Sequence, residues 1–148
     1  MTITSDLEPG FLSQLQLNFP KAVYILCWFH IKQRWRKKLK DLHVSSLLIS
    51  KLLGIDGFIN TLALIPISEI AGKGIAYVRA KMAEEEGNRS IWDDFWGYFR
   101  RNYLSGLYGP KYWNIPYIRA FGNEDENLVL INRTNNPLER YNRRFLTS

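Results

Sequence analysis

Two acidic residues near opposite ends of the chain are candidates for metal chemistry, and the first is Asp6. It follows the β-branched stretch TITS, which predicts a short β-strand ending at Asp6. In open α/β sheets, ligands and metals collect outside the carboxyl ends of the strands. An aspartate in this position can equally cap the helix that follows it. Both roles, metal ligand and helix cap, are open for Asp6.

The second acid, Glu139, lies in the segment NRTNNPLERYNRRF, residues 132–145. Pro137 suits the first turn of a helix, so the segment is predicted to be helical to the end of the chain. Glu139 and Arg143 are four residues apart, the spacing of an ordinary ion pair on a helix surface. The neighbouring arginines could instead offset the charge of bound phosphate. From this segment alone, a surface role and a catalytic role both remain open.

The sequence CWFH contains a C-x-x-H pair, Cys27 and His30. A structural zinc site needs four ligands. The only other histidine is His43 and there is no second cysteine, so the composition excludes a closed zinc site. Catalytic Cys–His chemistry lacks any further signature here. Because a cysteine in an apolar strand is usually part of the core, the residues favour packing for Cys27.

A dense basic segment, KQRWRKKLK, covers residues 32–40. Ile31, Trp35, Leu39 and Leu42 recur on one face, which predicts an amphipathic helix with basic residues on its other faces. Such a cluster suits contacts with phosphate groups or a nuclear import signal, and a plain solvated face is the alternative. The candidate nucleic-acid contacts on this helix are Lys32, Arg34, Arg36, Lys37 and Lys38.

The elements around these residues begin with a strand–helix–strand unit. Phe11, Leu12 and Leu15 have helical spacing, and AVYILCWFH is an apolar run typical of a buried strand. This order predicts two parallel strands joined by a crossover helix.

The chain after residue 31 is predicted to be mostly helical. The stretch SSLLISKLLG predicts a helix capped by serine and closed by Gly54, and two further helices are broken near Pro66 and end at Gly87. Aromatic residues from Trp92 to Tyr103 follow helical spacing, whereas residues 111–134 look loop-like. The sequence therefore predicts an α/β protein that is mostly α by content.

Composition narrows the class of protein. The 148 residues suit one domain, and a hydrophobic content of 46% excludes a disordered chain. The net charge of +6 favours a polyanionic partner, either nucleic acid or an anionic membrane. A single cysteine fits a reducing compartment. The sequence has no secretory signal, and no apolar run is expected to be long enough to span a bilayer, so an intracellular protein with no membrane partner is predicted.

Taken in order, these motifs resemble the transposases of Mutator-like elements, DDE enzymes with an RNase H-like core. SDLEPGFLSQLQLNFPKA is similar to the segment that carries the family's second catalytic aspartate, and CWFHIKQ to the C-x-x-H that follows it. LALIPISEI resembles the start of the family's helical insertion. WGYFRRNYLSG, YWNIPY and NRTNNPLERYNRRF resemble its end and the segment of the last glutamate. The likeness covers nearly the whole chain.

The resemblance implies the C-terminal part of an RNase H-like core that is interrupted by an all-helical insertion. Residues 1–30 would be the core segment, 31–131 the insertion and 132–148 the terminal core helix. Asp6 and Glu139 would be catalytic acids that bind Mg²⁺ or Mn²⁺ for cleavage and strand transfer of DNA. His30 would lie near the active site, and the terminal helix would add the DNA contacts Arg140, Arg143 and Arg144.

The chain departs from this family in one respect, because the first catalytic aspartate should lie well upstream of Asp6. The expectation is therefore an N-terminally truncated transposase that binds metal weakly and is inactive alone. Its expected partners are DNA, as transposon ends and target, and a second copy or an N-terminal half, in the nucleus. The first rival is a non-catalytic, basic nucleic-acid-binding module derived from a transposase. The second is an interaction domain that docks a partner on the aromatic residues Trp92, Trp96 and Phe99.

Overall fold

The computed structural model describes residues 2–5, 9–21, 23–86 and 90–121. Two strands appear in this part of the chain, and most of the rest is helical. The prediction of a protein that is mostly α by content is therefore confirmed.

The first described elements are a parallel pair of strands. Strand β1 (Thr2–Ser5) pairs with β2 (Val23–Leu26), and helix α1 (Pro9–Asn18) lies between them in the chain. Parallel strands require such a crossover because the chain must return to the same end of the sheet. The hydroxyl of Tyr24 in β2 lies 2.6 Å from the carbonyl oxygen of Leu15 and can donate to it. The predicted strand–helix–strand unit is confirmed.

Helix α2 (Trp28–Asp41) begins almost at once after β2. The expectation that the strand runs on to His30 is therefore wrong, because Trp28 turns inward from the first turn of the helix and is fully buried. The boundary expected between residues 30 and 31 falls inside α2. The core segment and the start of the proposed insertion thus share one continuous helix.

The remaining helices follow the predicted order. Helix α3 (Ser46–Leu53) is capped by the Ser45 hydroxyl, which accepts a hydrogen bond from the Leu48 amide, and Gly54 follows its last residue. The further helical segments are a 3₁₀ helix (Phe58–Ala63), α4 (Ile67–Glu69), a π-helical segment (Ile70–Gly74), α5 (Ile75–Glu86), α6 (Ser90–Phe99), a second π-helical segment (Arg100–Leu104), a second 3₁₀ helix (Pro110–Tyr112) and α7 (Ile115–Phe121).

Helix α7 corrects the expectation that residues 111–134 are loop-like, as far as residue 121. Asn114 caps the helix because its side-chain oxygen accepts a hydrogen bond from the Tyr117 amide at 3.0 Å. Pro116 lies in the first turn, where its missing N–H costs nothing. The Asn114 amide also donates to the carbonyl oxygens of Leu62 and Ile65, which ties α7 to the middle of the chain.

Aromatic side chains from α2, α6 and the segment after α6 form the centre of the core. Trp35 is completely buried, and its ring centroid lies 5.2–5.4 Å from those of Trp28, Phe99 and Tyr103. Trp92 and Trp96, like Phe99, are at most 3% exposed. The hypothesis that this aromatic stripe docks a partner is therefore wrong, because the stripe is already covered by the protein's own core.

One stretch of the described chain, Ser46–Ala63, has the length and apolar composition of a membrane-spanning helix. Its length and composition correct the expectation that no apolar run is long enough to span a bilayer. Its structure is not one helix, however, because α3 ends at Leu53 and a turn separates it from the 3₁₀ helix that begins at Phe58. Half of the stretch is buried against other parts of the protein. The buried half includes core residues such as Leu48, Leu52 and Ile59.

Candidate nucleic-acid interface

The acidic candidates Asp6 and Glu139 lie outside the described residues, as do Arg140, Arg143 and Arg144. In the described ranges, no three His, Cys, Asp or Glu side chains come close enough together to hold a metal ion. The expected Mg²⁺ or Mn²⁺ site therefore depends on residues that the structure does not describe. The described chain includes strand β1 (Thr2–Ser5), which ends next to Asp6 in the sequence.

The sheet brings two chain segments to one edge. In the parallel register Ser5 lies opposite Leu26, so β1 and β2 end together. Cys27 follows as the half-buried N-cap residue of α2, and no side-chain hydrogen bond caps the helix from it. His30 lies in the first turn of α2 and is exposed. The C-x-x-H pair therefore lies at the carboxyl edge of the strands, with its histidine open to solvent.

The outward face of α2 continues from His30 as a basic surface. Exposed residues recur three or four positions apart, as one face of an α-helix requires. This basic face consists of Phe29, His30, Gln33, Arg34, Lys37, Lys40 and Asp41, with Arg36 and Lys38 half-buried at its borders. The opposite face carries the buried side chains Trp28, Ile31, Trp35 and Leu39. Asp41 is the one acid on this helix.

Lys32 lies apart from the other basic residues that were predicted to bind nucleic acid. It is only 7% exposed, and its ammonium donates to the Asn60 side-chain oxygen at 3.1 Å and to the Gly54 carbonyl oxygen at 3.3 Å. Burial lowers the pKa of Lys32 to about 8, and the nearby charge of Arg36 adds to the effect. Lys32 therefore serves the interior of the protein, and it is not on the basic face.

The partner of Lys32 explains why a lysine is tolerated there. Asn60 is completely buried, and its side-chain oxygen also accepts a hydrogen bond from the Trp28 indole at 2.9 Å. Its amide donates to the carbonyl oxygens of Gly54, Ile55 and Gly57. Because every polar group of Asn60 has a partner, the network avoids the cost of a buried unsatisfied amide.

Two tyrosines flank the basic face, and sequence reasoning missed both. The guanidinium carbon of Arg34 lies 5.4 Å from the ring centroid of Tyr108, and the Lys38 ammonium lies 5.3 Å from that of Tyr98. These distances suit cation–π attraction. The tyrosines are 60 to 74 positions from their partners in sequence, as 98 − 38 and 108 − 34 give. No local pattern in the sequence could have identified them.

A shallow groove runs between α2 and α6 beside this face. Its cavity volume is about 320 Å³, and it is lined by Arg34, Lys37, Lys38, Asp41 and Tyr98. Three of the five lining side chains are cationic and one is acidic, so the groove attracts anions. The arrangement can hold phosphate groups, and the described residues around it supply neither a nucleophile–base pair nor a metal cluster.

Comparisons with known proteins do not assign a family. No protein-family model matches the chain, and no curated protein or solved structure is significantly similar to it. The resemblance to Mutator-like transposases therefore rests on the motifs of the sequence.

Proposed function

We propose that this chain is part of a Mutator-like DDE transposase and that it holds DNA along the basic face of α2. The observation that supports this proposal is the way α2 leaves the sheet. Strands β1 and β2 end together, and α2 starts two residues after Leu26, so that His30 lies at the sheet edge and Arg34 and Lys37 lie further along the same face. DNA that follows α2 is therefore led toward the carboxyl edge of the sheet, where ligands of α/β proteins bind.

The metal-dependent part of this function is assigned to Asp6 and Glu139 by the resemblance. Two carboxylates suit Mg²⁺ or Mn²⁺, which prefer hard oxygen ligands. Bound metal ions would activate the attacking hydroxyl and stabilise the leaving oxygen during cleavage and strand transfer of DNA. The same resemblance assigns transposon ends and target DNA as substrates and the nucleus as the site of action. The role of α2 is to bind and orient the phosphate backbone.

The basic face makes a quantitative prediction about DNA binding. Five cations, Arg34, Arg36, Lys37, Lys38 and Lys40, lie on the face or at its border. Each phosphate that a protein neutralises contributes about −0.9 to the slope of log affinity against log salt concentration for duplex DNA. With five contacts the slope is about −4.5. Affinity should then fall about 500-fold between about 50 mM and 200 mM salt.

Binding of a short labelled duplex, measured by fluorescence anisotropy at several salt concentrations, tests this proposal. We expect the steep salt dependence for the wild-type chain. The triple variant Arg34→Gln, Lys37→Gln and Lys38→Gln should lose about 2.7 from the slope, because three cations are removed.

The matched control removes three exposed cations from other elements, with Lys21→Gln, Lys73→Gln and Arg119→Gln. Both triple variants lower the net charge by the same amount, so a difference between them reports the position of the charges. Equal losses in the two variants, or a wild-type slope near zero, would show that α2 does not bind DNA.

A non-catalytic nucleic-acid-binding module is the second candidate function, and the same basic face favours it. The two functions differ in whether Asp6 and Glu139 are needed for metal-dependent cleavage or strand transfer of DNA. The double variant Asp6→Asn and Glu139→Gln should bind DNA as the wild type does under either function. Mn²⁺-dependent cleavage or strand transfer by the wild type, lost in this double variant, would establish the transposase. DNA binding without any such activity would fit both functions, because the transposase part is itself expected to be inactive alone.

A further inference from the structure

The groove between α2 and α6 has features that a merely solvated basic face does not need. Its cations come from α2, and its aromatic wall comes from α6, which lies far away in sequence. The side chains of Arg34 and Lys38 each lie against a tyrosine ring instead of extending freely into solvent. A flexible cation loses rotamer freedom when it binds a ligand, so a cation that is already held in place binds at a lower entropic cost.

The two tyrosine rings are not available for stacking on nucleic-acid bases. Tyr108 is only 5% exposed and is stacked on the ring of Tyr103 at 5.6 Å. Tyr98 is half-buried, with Phe95 and Tyr103 within 6.3 Å of its centroid in addition to the Lys38 ammonium. Proteins that bind single strands through bases need exposed aromatic faces. This groove therefore offers cations and no stacking platform.

From these contacts we infer that the groove binds the phosphodiester backbone of one nucleic-acid strand, and that Tyr98 and Tyr108 are positioning residues for Lys38 and Arg34. This inference rests on the proposed function and adds the mode of recognition. Arg34 and Lys38 are four residues apart, which is about 6 Å along the helix axis. Phosphates of one strand in a duplex follow each other every 3.4 Å or so along the axis. The two held cations are thus about two phosphate steps apart, so they match a phosphate and the next but one on the same strand.

Asp41 provides an internal check on this assignment because it is the one acid in the groove lining. A carboxylate beside a phosphate-binding site repels the phosphate. If the groove holds phosphate, removing this charge must tighten binding, whereas removing an equivalent charge elsewhere must not. Glu84 on α5 is an exposed acid that does not line the groove and serves as the comparison.

The experiment compares two single-stranded probes of the same length, a thymidine homopolymer and a sugar-phosphate strand that lacks bases, at low salt. Wild-type chain should bind both strands with affinities within about twofold, because the backbone carries the contact. Asp41→Asn should bind both more tightly by about 2- to 5-fold, and Glu84→Gln should leave both unchanged. Tyr98→Leu should weaken binding of both about 2- to 5-fold, whereas Tyr98→Phe, which keeps the ring, should match wild type.

Several outcomes would overturn the inference while leaving the proposed function intact. Loss of more than about tenfold in affinity for the strand without bases would show that bases are stacked, as would a Tyr98→Leu defect confined to the thymidine strand. An unchanged affinity in Asp41→Asn would place the phosphates elsewhere, and this variant removes no core contact. If the wild type binds neither strand with any salt dependence, the proposed function itself fails. Thermal unfolding of Tyr98→Leu should show that this variant is folded at the temperature of the binding assay.

Discussion

The two sides of α2 carry similar residues and use them in opposite ways. On the inward side, Lys32 is 7% exposed and donates its hydrogen bonds to Asn60 and Gly54. On the outward side, Arg34 and Lys37 line a groove that opens to solvent. The inward side has this one cation among apolar residues, whereas the other cations of α2 lie on the outward side or at its borders. The angle of each residue around the helix axis, relative to the apolar stripe, decides whether its charge serves the fold or a ligand.

The largest expected effect comes from the inward side. Trp35 is completely buried among three aromatic rings, so Trp35→Ala should lower the free energy of unfolding by about 3–5 kcal/mol. Lys37→Ala, two residues further along α2, should change it by less than about 0.5 kcal/mol. Urea denaturation followed by tryptophan fluorescence and circular dichroism measures both. Similar losses in the two variants would contradict the division of α2 into a structural and a ligand-binding side.

The next largest effect is the pH dependence of the free energy of unfolding, which distinguishes the buried Lys32 from the exposed Lys37. The pKa of Lys32 is lowered to about 8 in the folded protein, chiefly by burial, from the ordinary value of 10.5. Between these two values the unfolded chain binds the proton more strongly than the folded chain does, so the free energy of unfolding rises with pH. Between pH 8 and pH 10, we expect wild type to gain about 1–3 kcal/mol relative to Lys32→Met.

Denaturation curves collected across this pH range provide the measurement. Lys37→Met is the matched control, because it removes a lysine from the outward side of the same helix. The difference between wild type and Lys37→Met should stay constant with pH. A constant difference for Lys32→Met as well would mean that burial does not lower the pKa of Lys32.

The smallest expected effect on the free energy of unfolding is at the C-terminal end of α2. His43 has a φ of 62°, in the left-handed region, and the helix closes there with the Val44 amide donating to the Leu39 carbonyl oxygen at 3.0 Å. Glycine is the usual residue at this position because it has no Cβ. His43→Gly should raise the free energy of unfolding by about 0.5–1 kcal/mol.

Thermal unfolding of this variant tests the claim, with His30→Gly as the comparison. His30 lies inside the first turn of the same helix, where glycine is unfavourable, so that variant should lose about 0.5–1 kcal/mol. A loss of stability in His43→Gly would show that its imidazole makes a contact that outweighs the backbone strain.

Much of the local structure was predictable because it follows from short-range patterns. The apolar run at Val23–Leu26, the serine cap of α3 and the stripe Ile31, Trp35 and Leu39 all have the roles that the sequence predicts. The boundary errors have local causes. The predicted strand extended through Trp28 because an apolar run has no periodicity that distinguishes a buried strand from the start of a helix. Asn114, two residues before Pro116, is the helix-start signal of α7, although the loop-like composition around it hides the helix.

The candidate site was predictable only in part. Arg34, Lys37 and Lys38 were predicted from sequence, since a one-signed cluster on a helix is a local feature, whereas His30 was predicted only through the family resemblance. Lys32 was grouped with them, although it lies four residues after Trp28 and three before Trp35 and so shares the apolar side. Tyr98 and Tyr108 have no such signal, because their relation to α2 arises from packing between distant segments.

The sequence by itself determined which residues of α2 are apolar and which are basic, and it predicted an amphipathic helix there because this pattern repeats every three or four positions. It also determined that the chain is mostly helical, that it carries excess positive charge and that no intrachain disulfide can form. Only the tertiary structure decided which cations remain outside. Packing α3 and the 3₁₀ helix against α2 buried Lys32 under Asn60. Packing of α6 and of the segment after it against α2 set Tyr98 beside Lys38 and Tyr108 beside Arg34. Those contacts join residues 22 to 74 positions apart, a distance over which side-chain periodicity carries no information.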